Sequence, residues 1–386
     1  MIPEAGGSAT PLLVTHFNST EAEPEPHVGA ELEEGIVTYE ESDRVLITGA
    51  SGFIGSAIVR TFLNAGFNVR VLVRSSSPAT NFAGLPVGIA EGDLKDKRSI
   101  ADALKDVRYL IHAAADYRIW TRKPSELMAA NVLGTQNIME EALRSGVEKI
   151  VYTSSVCTLA HSSPSDPADE THSHDGAEAY NPYKRSKILA EAVVRGLIAN
   201  AGLPAVIVNP SAPVGPRDIK PTPTGRIIIE CAAGRMPAYV DTGLNLVHVD
   251  DVAEGHLAAL KHGVVGERYI LGGQNIRLRD MLAEISRQTG RQPPRVKLPV
   301  PAVFPFAVAS EAVAWCTGKE PFATRDSLRM ARQCMFFNDA KAKKELGYTS
   351  RPYEQGISDA LAWFYGAGML APPRGELRRG FRLMAR

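Results

Sequence analysis

Two Tyr–Lys pairs overlap in the stretch AYNPYKRSK. Tyr180 stands four residues before Lys184, and Tyr183 four before Lys187. Residues four apart share one face of a helix, and a phenol beside an ammonium is a proton-transfer pair. Free tyrosine titrates near about pH 10, too high for a base at neutrality. A neighbouring ammonium, together with the positive nicotinamide of an oxidised cofactor, is expected to stabilise the phenolate and lower that value. Pro182 suits the first turn of a helix, which puts Tyr183 and Lys187 in regular helix. Tyr180 falls before that start and is expected to line a substrate loop or to pack structurally. Ser154 and Ser155 end the apolar run KIVYTSS and offer a hydroxyl to hold a reacting oxygen. Such a set fits exchange of a hydroxyl proton while a hydride moves at the same carbon.

A hydride needs a carrier. TGASGFIG lies where an apolar run turns into a helical pattern, with Gly49, Gly52 and Gly55 three apart. Such a turn brings backbone amides of Ser51, Phe53 and Ile54 to a pyrophosphate at the positive end of a helix. In the next strand, NAD-binding sheets place an acidic residue on the adenosine ribose. Here Val73 fills that position, followed by Arg74 and three serines. Arg74 can neutralise a 2′-phosphate, with Ser75 and Ser76 as donors. NADP(H) is therefore the favoured cofactor and NAD(H) the alternative. Asp93, followed by Leu94 in EGDLKD, is expected to accept from the adenine amino group.

The elements that must position these groups alternate regularly. RVLITGA, NVRVLVR, YLIHAAA, KIVYTSS and PAVIVNP read as strands, separated by helical stretches that close on glycines such as Gly66 and Gly146. Strand–helix alternation predicts an α/β fold, a Rossmann-type doubly wound parallel sheet. After Pro210 the pattern weakens and then returns, which implies a smaller, interleaved C-terminal substrate lobe. The expected division is an acidic extension over 1–43, a dinucleotide-binding domain over 44–210 with contributions from about 244–273, a substrate lobe over 211–370, and a basic tail over 371–386.

Composition narrows the function. The 386 residues are 44% hydrophobic with a formal net charge of zero, which speaks against a nucleic-acid binder. Four scattered cysteines form no zinc spacing and read as reduced thiols in a cytoplasmic protein. The acidic opening, free of Lys and Arg before Arg44, is unlike a signal or transit peptide. No transmembrane helix is expected: prolines and Glu311 interrupt Leu298–Gly318, which is read as an ordinary domain helix, with a membrane-facing element as the alternative. His172, His174 and Asp175 form no convincing metal site, and none is expected. His248 is read as a structural cap.

Taken together, TGASGFIG, Gly92-Asp93-Leu94, HAAAD, NVLGT, YTSS, PYKRSK and HVDDVA resemble the extended short-chain dehydrogenase/reductase family over roughly Arg44–Leu370. The resemblance implies Ser155, Tyr183 and Lys187 as catalytic residues, Lys187 also holding the nicotinamide ribose. It implies cofactor contacts from Ala113, Ala114 and Ala115, and from Pro210 and Ser211 in NPSAP. Longer stretches after Asn209 are similar to a group of hopanoid-associated sugar epimerases related to dihydroflavonol 4-reductases. That likeness implies a small-molecule substrate, sugar- or hopanoid-linked, and a homodimer formed through helices including the one with Tyr183. A cytoplasmic enzyme peripheral to the inner membrane would suit such a pathway. Sugar-nucleotide epimerases of this kind carry an acidic residue where Val73-Arg74 stands, whereas the dihydroflavonol-reductase branch has an Arg and uses NADPH. Epimerisation and net ketone reduction thus both remain open. Tyr117, Tyr180, Asp218, Lys220 and Arg226 are the candidate substrate contacts. A non-enzymatic dinucleotide sensor is the alternative of another class, though it would have no need of the proton-transfer residues.

Overall fold

Alternation along Arg44–Thr48 sends Val45 and Ile47 into one hydrophobic cluster and Leu46 into another, on opposite sides of the chain. The computed structural model describes residues 43–118, 120–160, 164–174, 181–318, 321 and 323–371. The acidic and basic terminal segments, Asp175 and Tyr180 lie outside these residues.

The first half runs β1 (Arg44–Thr48), α1 (Phe53–Asn64), β2 (Asn68–Val73), β3 (Gly88–Glu91), α2 (Lys97–Ala103), β4 (Tyr109–His112), α3 (Pro124–Met128), α4 (Gly134–Arg144), β5 (Lys149–Thr153), α5 (Pro182–Ala201) and β6 (Ala205–Pro210). It continues through β7 (Ala212–Val214), α6 (Pro223–Ala232), β8 (Ala238–Val240), β9 (Gly243–His248), α7 (Val249–His262), β10 (Arg268–Leu271), β11 (Gln274–Arg277) and α8 (Leu278–Thr289). The last elements are β12 (Val296–Leu298), α9 (Val300–Thr317), α10 (Arg325–Met330), β13 (Cys334–Met335), α11 (Ala340–Leu346) and α12 (Tyr353–Gly366).

Seven parallel strands form the main sheet in the order β10-β6-β5-β4-β1-β2-β3. This is the doubly wound parallel sheet that the alternation predicts. Both faces are covered, as parallel sheets require: α1 and α7 pack on the Val45 and Ile47 side, while α4 and α5 pack on the Leu46 side. The strand order reverses between β1 and β4, and a crevice opens at the carboxyl ends of the strands there. A second sheet centres on β9, flanked by β7, β11 and β13, and packs with α6, α8 and α12 around Ile228, Leu246, Ile285 and Phe364.

Two local features shape the site. Asn181 caps α5, accepting from the amides of Tyr183 and Lys184, with Pro182 in the first turn and Gly202 ending the helix in the left-handed region. Before α4, a π-helical turn over Ala129–Leu133 turns Asn131 inward, where it donates to Ser186 Oγ at 2.8 Å.

One expectation fails. Leu298–Gly318 is neither broken by its prolines nor an ordinary packed helix. α9 runs unbroken over 18 residues, because Pro301 lies in the first turn, where amides lack partners anyway, and Pro305 removes only one further bond. Only Ala307, Glu311 and Ala314 of α9 are buried. By length and composition the helix is apolar enough to cross a membrane.

Candidate active site

The crevice is a cavity of about 950 Å³. At one end lies the turn from β1 into α1. Gly49 has φ of +79°, and a Cβ there would stand 2.7–2.9 Å from the backbone of Ala113 and Ala114. A Cβ on Gly55 would fall 2.1 Å from the Gly49 carbonyl oxygen. α1 also lacks a side-chain cap, so the amides of its first turn are left for a ligand. Ser211, on the same cavity, has a buried hydroxyl without a partner among the described residues. A turn stripped of side chains, free helix amides and an unmatched hydroxyl fit a dinucleotide.

Gly49, Ser51, Gly52, Phe53, Ile54, Gly55, Arg74, Asp93, Leu94, Ala113, Ala114, Ala115, Pro210 and Ser211 all line this cavity. Ser77 and Pro78 line it as well, while Ser75 and Ser76 do not. The reason is a tight turn after β2, in which Ser77 N donates to the Arg74 carbonyl at 2.8 Å and carries the chain back. Asp93 accepts from Lys95 N at 2.9 Å and keeps its other oxygen for a partner in the cavity.

Ser155, Tyr183 and Lys187 meet at the middle of the cavity. The two serines divide their work. Ser154 is buried and donates to Glu191 Oε2 at 2.5 Å, whereas Ser155 lines the cavity and its Oγ accepts from Cys157 N at 3.2 Å. Lys187 is 3% exposed and donates to the Thr153 carbonyl at 2.8 Å, with Nζ 5.1 Å over the Tyr152 ring. Burial lowers the ammonium to about 8, against the raising influence of Cys157 and Glu191. Burial pushes Tyr183 well above its ordinary value, Cys157 adds to this, and the Ser155 hydroxyl only partly offsets it. In the protein alone Tyr183 is therefore an acid holding its proton, because desolvation outweighs any help from the cation.

Of the candidate substrate contacts, Tyr117, Asp218 and Lys220 line the cavity. Tyr117 donates to the Lys220 carbonyl at 3.0 Å, and Lys220 Nζ lies 6.0 Å over the Tyr117 ring. The Asp218 carboxylate turns away, accepting from Thr222 N and Oγ1 at 2.8–3.1 Å. Burial raises it to about 6, and its bonds brace Thr222, the residue that caps α6. Arg226 stands on α6, outside the lining. The cap reading of His248 holds: it accepts from Asp250 N at 3.0 Å. No metal cluster occurs among the described residues.

Two networks escaped the sequence reading. Under the cavity floor, His112 bridges Thr48 Oγ1 at 2.8 Å and Thr135 Oγ1 at 3.1 Å and stacks on the Tyr152 ring at 5.9 Å. Burial holds His112 neutral, at about 3. Behind it, buried Glu191 gathers Ser154, Thr158 and Asn209 and pairs with Arg268 at 3.2 Å. A signal for the second was present: Glu191 lies one turn after Lys187, a carboxylate on the inward stripe between Ala190 and Val194. The far wall was also unread. Ile219, Ile227, Val240, Leu244, Leu278, Leu328, Met335 and Phe337 come from seven separate places in the chain.

A family model for the NAD dependent epimerase/dehydratase family matches residues 45–272. A Synechocystis sp. protein provisionally described as a dihydroflavonol 4-reductase is 40% identical over 331 residues, 85% of this chain and 96% of that protein. Sterol demethylase protein B of Methylococcus capsulatus is 34% identical over 330 residues, 84% of this chain and 99% of that one. The crystal structure of gox2253 shares 52% identity with a TM-score of 0.77, covering 86% of this chain and all of that one. Fold, cavity and sequence agree, and the chain belongs to the NAD-dependent epimerase/dehydratase family of extended short-chain dehydrogenases/reductases, which are enzymes.

Proposed function

We propose that the protein is an NADP(H)-linked oxidoreductase acting at a CH–OH/C=O carbon of a largely apolar substrate. The observation that carries this reading is the far wall, where aliphatic, Met and Phe side chains dominate beyond Tyr183. Of the cations nearby, Arg118 faces Asp116 and Lys220 lies over Tyr117. An apolar wall stabilises an apolar ring system by burial, and the relatives named for a sterol and a dihydroflavonol support that class. Arg74 on the cavity, with Val73 in place of an acid, supports NADP(H).

A bound nicotinamide supplies the hydride in the reductive direction. Tyr183, kept protonated by burial, gives its proton to the carbonyl oxygen, and Ser155 hydrogen-bonds that oxygen and fixes its direction. Lys187, held by the Thr153 carbonyl, places positive charge beneath the phenolate that remains. Hydride and proton together turn C=O into CH–OH.

Epimerisation of a sugar-linked substrate in hopanoid metabolism is the second reading, favoured by Lys184 and Lys220 on the wall, since ammonium groups suit hydroxyls and phosphates. Mixing purified protein with NADPH or NADH and a panel of steroid, flavanone and sugar-nucleotide ketones separates the two. The expected result is stoichiometric oxidation of NADPH with an apolar ketone. Retained NAD that does not exchange, with a stereocentre inverted and no net consumption, overturns it.

A further inference from the structure

We propose that α9 seats the protein on the surface of an anionic lipid bilayer. The polarity of this helix is inverted. Its only charged residue, Glu311, points inward, accepting from Arg325 N at 2.7 Å and Arg325 Nε at 2.8 Å. Its exposed surface carries Phe306 and Val313 on one flank and Val308 and Trp315 on the other, exposed by 55%, 61%, 44% and 57%. A helix in contact with water turns its charges outward and its apolar stripe inward. α9 is apolar on its exposed flanks and keeps its one charge within, the pattern of an element whose outer solvent is lipid.

The bilayer is favoured over a protein partner by the surrounding charge. Arg295 and Lys297 are exposed before the helix, Arg122 is exposed beside its last turn, and Arg329 and Arg332 are exposed on and after α10. Lys297 and Arg329 also face Asp241 and Asp326. Cations bordering an apolar face suit anionic headgroups around buried hydrocarbon. The helix lies on the surface rather than spanning it, because both ends are tied to one body. β12 pairs with β8 just before α9, and Arg122 donates to the Ala314 and Trp315 carbonyls at its end.

The attachment points matter for function. Arg122 follows the Tyr117–Arg118 segment of the cavity wall, Trp120 packs edge-on against Trp315 at 6.1 Å, and Glu311 grips the start of α10, which carries Leu328 of the far wall. The docking face is thus joined to two walls of the cavity. This inference stands without the apolar-substrate reading, which it would nonetheless explain.

The full-length protein is sedimented with phosphatidylcholine vesicles with and without phosphatidylglycerol, alongside the triple variant Phe306→Ser, Val313→Ser, Trp315→Ser. All three side chains are exposed, so the variant is expected to fold and to keep its NADPH affinity. The wild type is expected to bind the anionic vesicles, to release at high salt, and to show tryptophan quenching by brominated lipid. The variant is expected to bind at least about tenfold more weakly. Absence of vesicle binding by the wild type, or binding unchanged in the variant, overturns the proposal. So does a dimer that the substitutions split while vesicle binding stays the same, since α9 would then face a second copy. None of these outcomes bears on ketone reduction, so the two readings fail separately.

Discussion

The two ends of the cavity are built differently. The glycine-turn end comes from consecutive residues at strand ends: Gly49–Gly55 after β1, Arg74 after β2 and Ala113–Ala115 after β4. Its polar groups are tied into buried networks through Thr48, His112 and Glu191. The far wall is assembled from single side chains on α6, β8, β9, α8, α10 and β13, mostly apolar, with Thr224, Thr242, Asn245 and Ser327 among them. The difference teaches where tolerance lies. A strand-end motif cannot shift without the sheet shifting, whereas an apolar wall can be repacked to take another substrate.

The largest test of that contrast sits where the ends meet. Tyr183→Phe should lower ketone reduction by about 10²–10⁴-fold while thermal stability and NADPH affinity stay put. A loss below tenfold would mean another group donates the proton.

Glu191→Gln probes the network behind the site. Removing the anion leaves Arg268 buried opposite a neutral amide, at an expected cost of about 3–5 kcal/mol in urea unfolding. A change of less than about 1 kcal/mol would show that water already compensates the pair.

At the glycine-turn end, Arg74→Glu should weaken NADPH by about ten- to hundredfold and leave NADH affinity nearly unchanged, as titration would measure. Equal losses for both would remove the 2′-phosphate role.

Activity and stability should diverge with pH. Lys187 titrates at about 8 in the fold, below its unfolded value near about 10.4. The fold is penalised for carrying that proton, fully below about pH 8. The penalty fades between there and about pH 10.4, so this group's contribution to stability rises with pH. Reduction should instead fall, by about tenfold per pH unit above 8, as the ammonium under Tyr183 is lost. A flat rate profile to pH 10 would detach Lys187 from the proton transfer.

The smallest effect is expected at the far wall. Met335→Ala should raise KM for an apolar ketone by about tenfold or less with kcat preserved. A change in kcat alone would place Met335 nearer the reacting carbon than the wall reading allows.

Sequence legibility follows the same divide. The sheet, the helix start at Pro182 and the residues at strand ends were readable because each depends on neighbours in the chain: alternation, a capping residue, a glycine with no room for Cβ. The choice of Ser155 over Ser154 rests on resemblance, and the sequence could not show that Ser154 is engaged by Glu191, a contact 37 residues along the chain. The protonated state of Tyr183 in the protein alone is not legible in the sequence, because burial is a property of the packed site and has no local signature.

The residues alone determined a parallel α/β sheet, a phosphate-type turn and a Tyr–Lys pair on one helix face, since each is set by periods of two to four residues. Only the tertiary structure decided that Asp218 braces Thr222 at the start of α6, that Arg226 lies outside the cavity lining, that α9 turns its one charge inward, and which distant side chains make the far wall. Those outcomes depend on desolvation and on contacts between residues far apart in the chain, and neither is written in spacing.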